Sequence, residues 1–296
     1  MAGLLSGIRG IARDLAGAVL PLHLRDLESR IHDRLRKIPA RLNEYGYDDF
    51  GLSPDWMRRT ILPSALLYNY YFRVETRGIE HVPAGRVLLI ANHAGQLPFD
   101  AAMLGIATLL EAEPPRIARG MAEYWVPTLP WVGVAAARSG QMVGTPENCV
   151  AMLEAEACVA AFPEGVRGMN KLYRDRYRLM RFGLGFMRLA LQTETPIVPV
   201  GIVGSEEQNP AFANLESLAR TFGMPALPVT ARFPWLGPLG LWPLPVKYRI
   251  HFGEPMEFEG SPNDEDSVVE AKVERVKHAI GELLERGCAE RRGIFT

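Results

Sequence analysis

The chain has 296 residues, enough for one large domain with an appendage, and 48% of its residues are hydrophobic, so a sizeable core is expected. A net charge of −1 means that the chain lacks the excess of basic residues that is typical of nucleic-acid-binding proteins. The three cysteines lack metal-ligand spacing and favour reduced thiols in a cytosolic setting. No apolar run reaches the roughly 18 residues that span a bilayer, and no signal-peptide pattern is present.

The first 42 residues form a basic, amphipathic lead. Apolar residues recur at helical spacing over residues 4–20 and again, with more charge, over residues 24–42. Basic residues outnumber acidic residues in this lead by eight to four. Such a lead suits an anionic membrane surface, but two ordinary helices packed on the core would show the same pattern. The two interpretations stay open at this point.

A loop over residues 43–54 and an apolar, aromatic helical run over residues 56–72 follow the lead. Strands then alternate with helices. This rhythm predicts an α/β fold with a largely parallel, mixed sheet that is covered by helices on both faces. We therefore expect two parts, an N-terminal helical region over residues 1–71 and a catalytic domain over residues 72–296. The predicted strands are 72–76, 86–91, 116–119, 133–138, 159–162, 197–203 and 246–252, and the predicted helices are 101–110, 145–156, 182–192 and 268–286.

His93 is the first candidate catalytic residue. It follows the apolar run 87–91, which reads as a buried strand, in the stretch Asn92-His93-Ala94-Gly95-Gln96-Leu97-Pro98-Phe99-Asp100. Polar residues at the end of a buried strand occupy the place where α/β sheets bind ligands. Histidine can take a proton near neutral pH, and a carboxylate such as Asp100 can fix its tautomer. Alternatively, Asp100 only favours the first turn of a helix.

A second candidate stretch, residues 162–168, also turns from a strand into a loop. It places one carboxylate (Glu164), one flexible turn (Gly165) and one guanidinium (Arg167) together. A guanidinium can grip phosphate oxygens with two parallel hydrogen bonds. The basic residues that follow indicate either an anion site or a solvated basic face; they are Lys171, Arg174, Arg176, Arg178, Arg181 and Arg188.

Two further apolar runs complete the set. Residues 133–137 are predicted to form a strand that ends at Arg138. Residues 196–201 form another strand, which Pro199 indicates to be an edge strand or an irregular one.

Taken in chain order, the four stretches resemble the blocks of the glycerolipid acyltransferase superfamily, over residues 74–205. The resemblance implies transfer of a fatty acyl group from acyl-CoA or acyl-carrier protein to a glycerolipid hydroxyl, with no cofactor and no metal. It implies that His93 is the general base and that Asp100 orients it. The implied substrate-binding residues are Asn92, Arg119, Arg138, Glu164, Gly165 and Arg167.

Two features depart from the usual pattern of this family. Six residues separate His93 from Asp100 instead of four, so the intervening loop must fold back, which Gly95 and Pro98 favour. The lysine that usually precedes the acidic residue at Glu123 is missing, which leaves Arg119 as the nearest basic residue. This second departure bears on the identity of the acceptor.

The apolar, proline-rich segment 225–245 belongs to none of the four blocks and is expected either to cover the core or to meet lipid. We expect a peripheral protein on the cytoplasmic face of a membrane, with a lysolipid acceptor and an acyl-CoA or acyl-carrier protein donor as partners. A lipid or thioester hydrolase and a non-enzymatic lipid-binding protein are the alternatives. The hydrolase is disfavoured because the chain has no Gly-x-Ser-x-Gly motif.

Overall fold

The computed structural model describes residues 22–215 and 228–296, so the helix predicted over residues 4–20 lies outside the described residues. Within these ranges, seven strands form one sheet in the order β1-β9-β6-β2-β5-β3-β4, and β7 pairs with β8 separately. The strands are β1 (Glu75–Arg77), β2 (Val87–Ala91), β3 (Ala118–Ala122), β4 (Met142–Val143), β5 (Cys158–Ala161), β6 (Ile197–Val203), β7 (Ala211–Asn214), β8 (Pro228–Thr230) and β9 (Arg249–Phe252).

The sheet is mixed but mostly parallel, as predicted. Strands β6, β2, β5, β3 and β4 run in one direction, and β9 pairs antiparallel with β6. Strand β2 lies between β6 and β5, with Leu89 opposite Val198 on one side and Ala160 on the other. Parallel strands bring their carboxyl ends to the same edge, so the residues that follow β2 and β5 are neighbours. This carboxyl edge carries the candidate site.

Helices cover both faces of the sheet. They are α1 (Leu22–Arg36), α2 (Pro54–Thr60), α3 (Leu62–Leu66), α4 (Phe99–Leu110), α5 (Val132–Arg138), α6 (Pro146–Glu154), α7 (Val166–Met169), α8 (Gly185–Thr193), α9 (Ser205–Gln208) and α10 (Asp266–Glu290). A π-helical turn over Leu67–Tyr71 extends α3. Thr145 caps α6 by accepting a hydrogen bond from the backbone N–H of Asn148, as its position before Pro146 predicts.

The alternation of side chains along β2 divides the core in two. Leu89 and Ala91 join one apolar cluster with helices α1 to α4, whereas Leu88 and Ile90 join a second cluster with α6, α8 and α10. Successive side chains of a strand point to opposite faces, so a strand that is apolar throughout must be covered on both sides.

Helix α1 is docked on this core. Its apolar face is buried, comprising Leu27, Ile31 and Leu35. Arg30 and Arg34 donate hydrogen bonds to the carbonyl oxygens of Leu110 and Leu109 at 3.0 and 2.9 Å, where they occupy the free carbonyl groups at the end of α4. In the described part of the lead, the packing interpretation therefore holds. No helix within the described ranges has the length and hydropathy needed to cross a membrane.

One local prediction is wrong, and of a second only one of its two alternatives holds. Residues 133–138 form helix α5 and not a strand, because a short apolar run is ambiguous by pattern and three successive alanines favour helix. Strand β6, which contains Pro199, lies inside the sheet and not at its edge. Its antiparallel pairing with β9 begins only at Val200, and the carbonyl oxygen of Pro199 accepts from Gly253 just past the end of β9. The proline thus sits where the ladder is irregular.

Candidate active site

His93 and Asp100 form a hydrogen-bonded pair at the carboxyl end of β2. The Nδ1 atom of His93 lies 2.7 Å from Oδ2 of Asp100. The same carboxylate oxygen accepts from the backbone N–H of Ala94 at 2.9 Å, and Oδ1 accepts from that of Ala101 at 2.8 Å. Asp100 is fully buried in the first turn of α4. Three donors therefore hold this carboxylate in one orientation.

The six-residue loop between the pair folds back as its residues predict. Gly95 and Gln96 have φ angles of +95° and +66°. The side-chain amide of Gln208, in α9, donates to the carbonyl oxygens of Gly95 and Leu97 at 3.0 and 3.2 Å. Tyr248 in turn donates its hydroxyl to Oε1 of Gln208 at 2.5 Å, which fixes the amide orientation. Gln208 thus holds the loop that brings Asp100 to His93.

The imidazole of His93 is packed against its neighbours on one side. The Phe162 ring lies against it with a centroid separation of 4.5 Å. A Cβ atom added at Gly168 would lie only 2.7 Å from the carbonyl oxygen of His93, so α7 can approach this closely only with glycine there. Because Asp100 occupies Nδ1, Nε2 is the ring nitrogen that can receive a proton.

Glu164 is a buried scaffold for the His93 loop. Its Oε1 accepts from the backbone N–H of His93 at 3.0 Å, and its Oε2 accepts from that of Met180 at 2.7 Å. The ammonium of Lys171 lies 3.4 Å from Oε2. Both carboxylate oxygens are thus used within the protein, and the residue is only 1% exposed. In this conformation, Glu164 orients His93 and presents no free oxygen to an acceptor.

Lys171 links Glu164 to a second buried carboxylate, Glu206, at 2.8 Å. Burial raises the pKa of Glu206 to about 7, against the opposing attraction of Lys171. Burial alone would lower the pKa of Lys171, but the carboxylates of Glu206 and Glu164 raise it. The ammonium therefore stays charged.

Sequence reasoning missed Glu206 and Gln208. The signal available was their position, directly after the end of β6, beside the carboxyl ends of the other parallel strands.

Asn92 joins β2 to β6. Its Nδ2 donates to the carbonyl oxygen of Ile202 at 3.0 Å, and its Oδ1 accepts from the backbone N–H of the same residue at 2.7 Å. The side chain is fully buried. Both polar atoms of the side chain are thus occupied within the protein, which is a structural role, and the substrate-binding role that the resemblance implies for Asn92 stays a prediction.

Arg119 and Arg138 meet the segment 47–56 and not the His93 loop. Arg119 forms an ion pair with Asp48, and the Arg138 guanidinium lies 5.0 Å from the centre of the Trp56 ring. Arg119 stands in β3 at the level of Leu88, five residues before His93, which corresponds to about 16 Å along a strand. The backbone of Arg119 is thus remote from His93, and the substrate-binding role implied for Arg119 stays a prediction.

Gly165 and Arg167 belong to the turn and short helix that pack against the His93 loop, since Gly168 of α7 lies close to the carbonyl oxygen of His93. Gly165 precedes α7 with a φ of +55°, and Arg167 is exposed on that short helix. The carboxylate of Glu123, which follows β3, lies next to Gly165. A Cβ atom added at Gly165 would be 3.6 Å from Oε1 of Glu123. An exposed carboxylate that the sequence pattern did not assign to the site therefore lies beside Gly165.

Cysteine chemistry does not contribute to this edge. Burial raises the pKa of Cys158 to about 12 and that of Cys149 to about 11, so neither thiol ionises readily enough to be a nucleophile. Among the described residues, no group of His, Cys, Asp and Glu side chains has the arrangement of a metal site. What the geometry offers is a histidine base, an orienting carboxylate and a nearby guanidinium.

Comparison with known proteins identifies an acyltransferase domain in this chain. A family model for acyltransferases matches residues 73–203. An uncharacterized protein of Mycobacterium tuberculosis is 40% identical over 258 residues, which cover 85% of this chain and 72% of that protein. An uncharacterized protein of Mycobacterium leprae is 42% identical over 258 residues, covering 85% and 70%.

Two more distant proteins are also similar. A Gallus gallus protein named a DGAT1/2-independent enzyme synthesizing storage lipids is 24% identical over 201 residues, covering 67% of this chain and 57% of that protein. The crystal structure of the 1-acyl-sn-glycerophosphate acyltransferase PlsC from Thermotoga maritima shares the fold, with a TM-score of 0.54 and 15% identity, and covers 80% of this chain and 81% of that one. Together with the matching domain, these similarities show that the chain belongs to the glycerolipid acyltransferase superfamily.

Proposed function

We propose that this acyltransferase moves a fatty acyl group from acyl-CoA or acyl-carrier protein to a hydroxyl of a lysophospholipid or another glycerolipid. The observation that carries the proposal is the 2.7 Å contact between His93 and Asp100, which leaves Nε2 of the imidazole as the proton acceptor at the carboxyl edge. Such a base can accept the proton of an acceptor hydroxyl.

The reaction requires no covalent enzyme intermediate. Nε2 of His93 takes the hydroxyl proton while the acceptor oxygen attacks the thioester carbonyl carbon, and the Asp100 carboxylate stabilises the imidazolium that forms. The carbon–sulfur bond then breaks, and the thiolate leaves and takes the proton. Backbone N–H groups at the strand-end loops are suited to hold the oxyanion.

The acceptor is anionic in this proposal, and Arg167 binds its phosphate. Arg167 is exposed beside Gly165, and a guanidinium suits phosphate oxygens. A neutral acylglycerol is the second candidate, because the chicken relative is named for storage-lipid synthesis and the exposed Glu123 beside Gly165 does not favour an anion. Both acceptors reside in a membrane, so we propose that the protein works as a peripheral protein on its cytoplasmic face.

The direct test is incubation of the purified protein with acyl-CoA or acyl-carrier protein and a panel of lysophospholipids, lysophosphatidic acid and diacylglycerol. Free thiol release and lipid masses are measured together. We expect thiol release that requires an acceptor and yields the acylated lipid. Thiol release that does not depend on acceptor would identify a thioester hydrolase. Lipid binding without any thiol release would identify a lipid-binding protein.

A further inference from the structure

Two loops of the structure expose large apolar side chains to solvent. The first, residues 124–131, ends at Trp131, which is 88% exposed, and also exposes Trp125 and Leu129. The second, residues 235–242, exposes Trp235 at 75% and Leu239 at 77%. Single apolar residues on a surface are ordinary, but grouped aromatic and aliphatic side chains mark a binding surface. We call these segments the first and second tryptophan loops.

The two tryptophan loops lie at the same edge of the sheet, on either side of β2. The first follows β3, which runs parallel to β2, so it begins at the carboxyl edge. The second precedes β9, which runs antiparallel to β6, so it also lies at that edge. Leu244, just past the second loop, donates its backbone N–H to the carbonyl oxygen of Gln208, the residue that holds the His93 loop.

Basic side chains emerge at this edge between the tryptophan loops. Arg174, Arg176 and Arg178 follow β5, the neighbour of β2, and all three are exposed. The acidic residue among them, Asp175, is within 3.5 Å of Arg174. Tryptophan favours the level of lipid headgroups, and arginine favours the phosphates of anionic lipids. The edge therefore has the charge and the apolar side chains that suit an anionic bilayer.

Helix α1 cannot provide an equivalent surface. Its apolar face is buried against the core, and Arg30 and Arg34 are hydrogen-bonded to the end of α4. A membrane-bound helix needs that face and those charges at the lipid surface. By contrast, all four exposed tryptophans among the described residues lie in the two tryptophan loops.

We propose that the two tryptophan loops and the arginines after β5 form the surface by which this protein binds an anionic bilayer. Insertion of both loops would set the catalytic edge on the membrane, where a glycerolipid acceptor could reach His93 without leaving the lipid. The choice of a bilayer as partner rests on the proposed function. The surface itself rests on the exposure and placement of these side chains.

Vesicle flotation of the full chain tests the surface, with phosphatidylcholine vesicles that contain or lack phosphatidylglycerol. Trp131→Asn, which tolerates the positive φ of that position, and Trp235→Ser should each weaken binding about tenfold. Replacing the three arginines with Gln should weaken binding about fivefold per residue, on anionic vesicles only. Tyr45→Ser is the matched control, because Tyr45 is 76% exposed and lies in the segment between α1 and α2, outside both tryptophan loops.

Thiol release with a short, water-soluble acceptor separates this surface from the proposed function. We expect both tryptophan variants to keep wild-type release in that assay, since neither residue belongs to the catalytic pair. Unchanged vesicle binding in both tryptophan variants would contradict the proposed bilayer-binding surface, even if acyl transfer is intact. If the variants lose vesicle binding and the wild type transfers no acyl group, the proposed function is wrong and the proposed bilayer-binding surface is supported.

Discussion

Gln208 donates its side-chain amide to the carbonyl oxygen of Gly95 at 3.0 Å, across 113 positions of the sequence. This hydrogen bond stabilises the loop that is two residues longer than the usual family spacing. The loop has positive φ angles at Gly95 and Gln96, which must be held against alternative conformations. The geometry of His93 and Asp100 thus depends on Gln208, which follows the last of the four acyltransferase blocks in the chain.

We therefore expect Gln208→Glu to lower kcat about 100-fold with little change in KM, because a carboxylate cannot donate to Gly95 and Leu97. Tyr248→Phe should have a smaller effect in the same direction, since it removes only the bond that orients the amide. Steady-state kinetics with a soluble acceptor measure the split. If the fall in kcat is no larger than the loss of folded enzyme that thermal denaturation shows, Gln208 has a structural role only.

His93→Ala should reduce acyl transfer by about 10²–10⁴-fold, the usual contribution of a general base. Asp100→Asn should also reduce transfer strongly, because an amide cannot match both the Nδ1–H of His93 and the N–H of Ala94 at one oxygen with the same strength. Thiol release is measured beside the thermal midpoint, which controls for folding. Normal transfer in either variant would exclude the pair as the catalytic base.

Asn92→Leu should lower the free energy of unfolding by about 1–3 kcal/mol, because it leaves the buried N–H and C=O groups of Ile202 without partners. Urea denaturation provides this value. The acceptor KM of the folded variant should equal that of the wild type. A raised KM at unchanged stability would instead place Asn92 in contact with substrate.

Glu206 predicts a pH-dependent stability. Burial raises its pKa from 4.5 to about 7, so the folded state binds this proton more tightly than the unfolded state. The contribution to stability is complete below pH 4.5 and is lost as the pH rises through about 7, with an upper limit of about 3 kcal/mol. Relative to wild type, Glu206→Gln should therefore gain stability across this range in urea denaturation.

The exposed Glu285→Gln variant is the matched control for this titration and should follow the wild-type curve. A Glu206→Gln curve that runs parallel to that of the wild type would show that Glu206 does not titrate between these pH values.

Arg167→Lys should raise the acceptor KM about tenfold for a phosphate-bearing lysolipid, because a single ammonium replaces a two-pronged guanidinium. Arg174→Lys controls for the general effect of an exposed arginine after β5. The KM for diacylglycerol should not change. A higher donor KM with an unaltered acceptor KM would assign Arg167 to the thioester side of the site.

Much of the fold could be read from local patterns. The all-apolar runs of β2 and β6 were predicted within a residue because buried parallel strands need apolar side chains on both faces. Thr145 and Pro146 marked the start of α6 through local capping chemistry. Helix α5 was missed because an apolar run of five residues suits either a helix or a strand, and the surrounding structure decides between them.

The sequence by itself determined which residue types stand at the strand ends, and therefore that His93 and Asp100 would be neighbours once the loop folded back. Only the tertiary structure decided what the other polar residues do. Asn92 is a buried support because the neighbouring strand β6 supplies its backbone partners, and Glu164 is one because two loops supply its partners. Arg119 pairs with Asp48. Such roles depend on contacts between residues far apart in the chain, which no local spacing encodes.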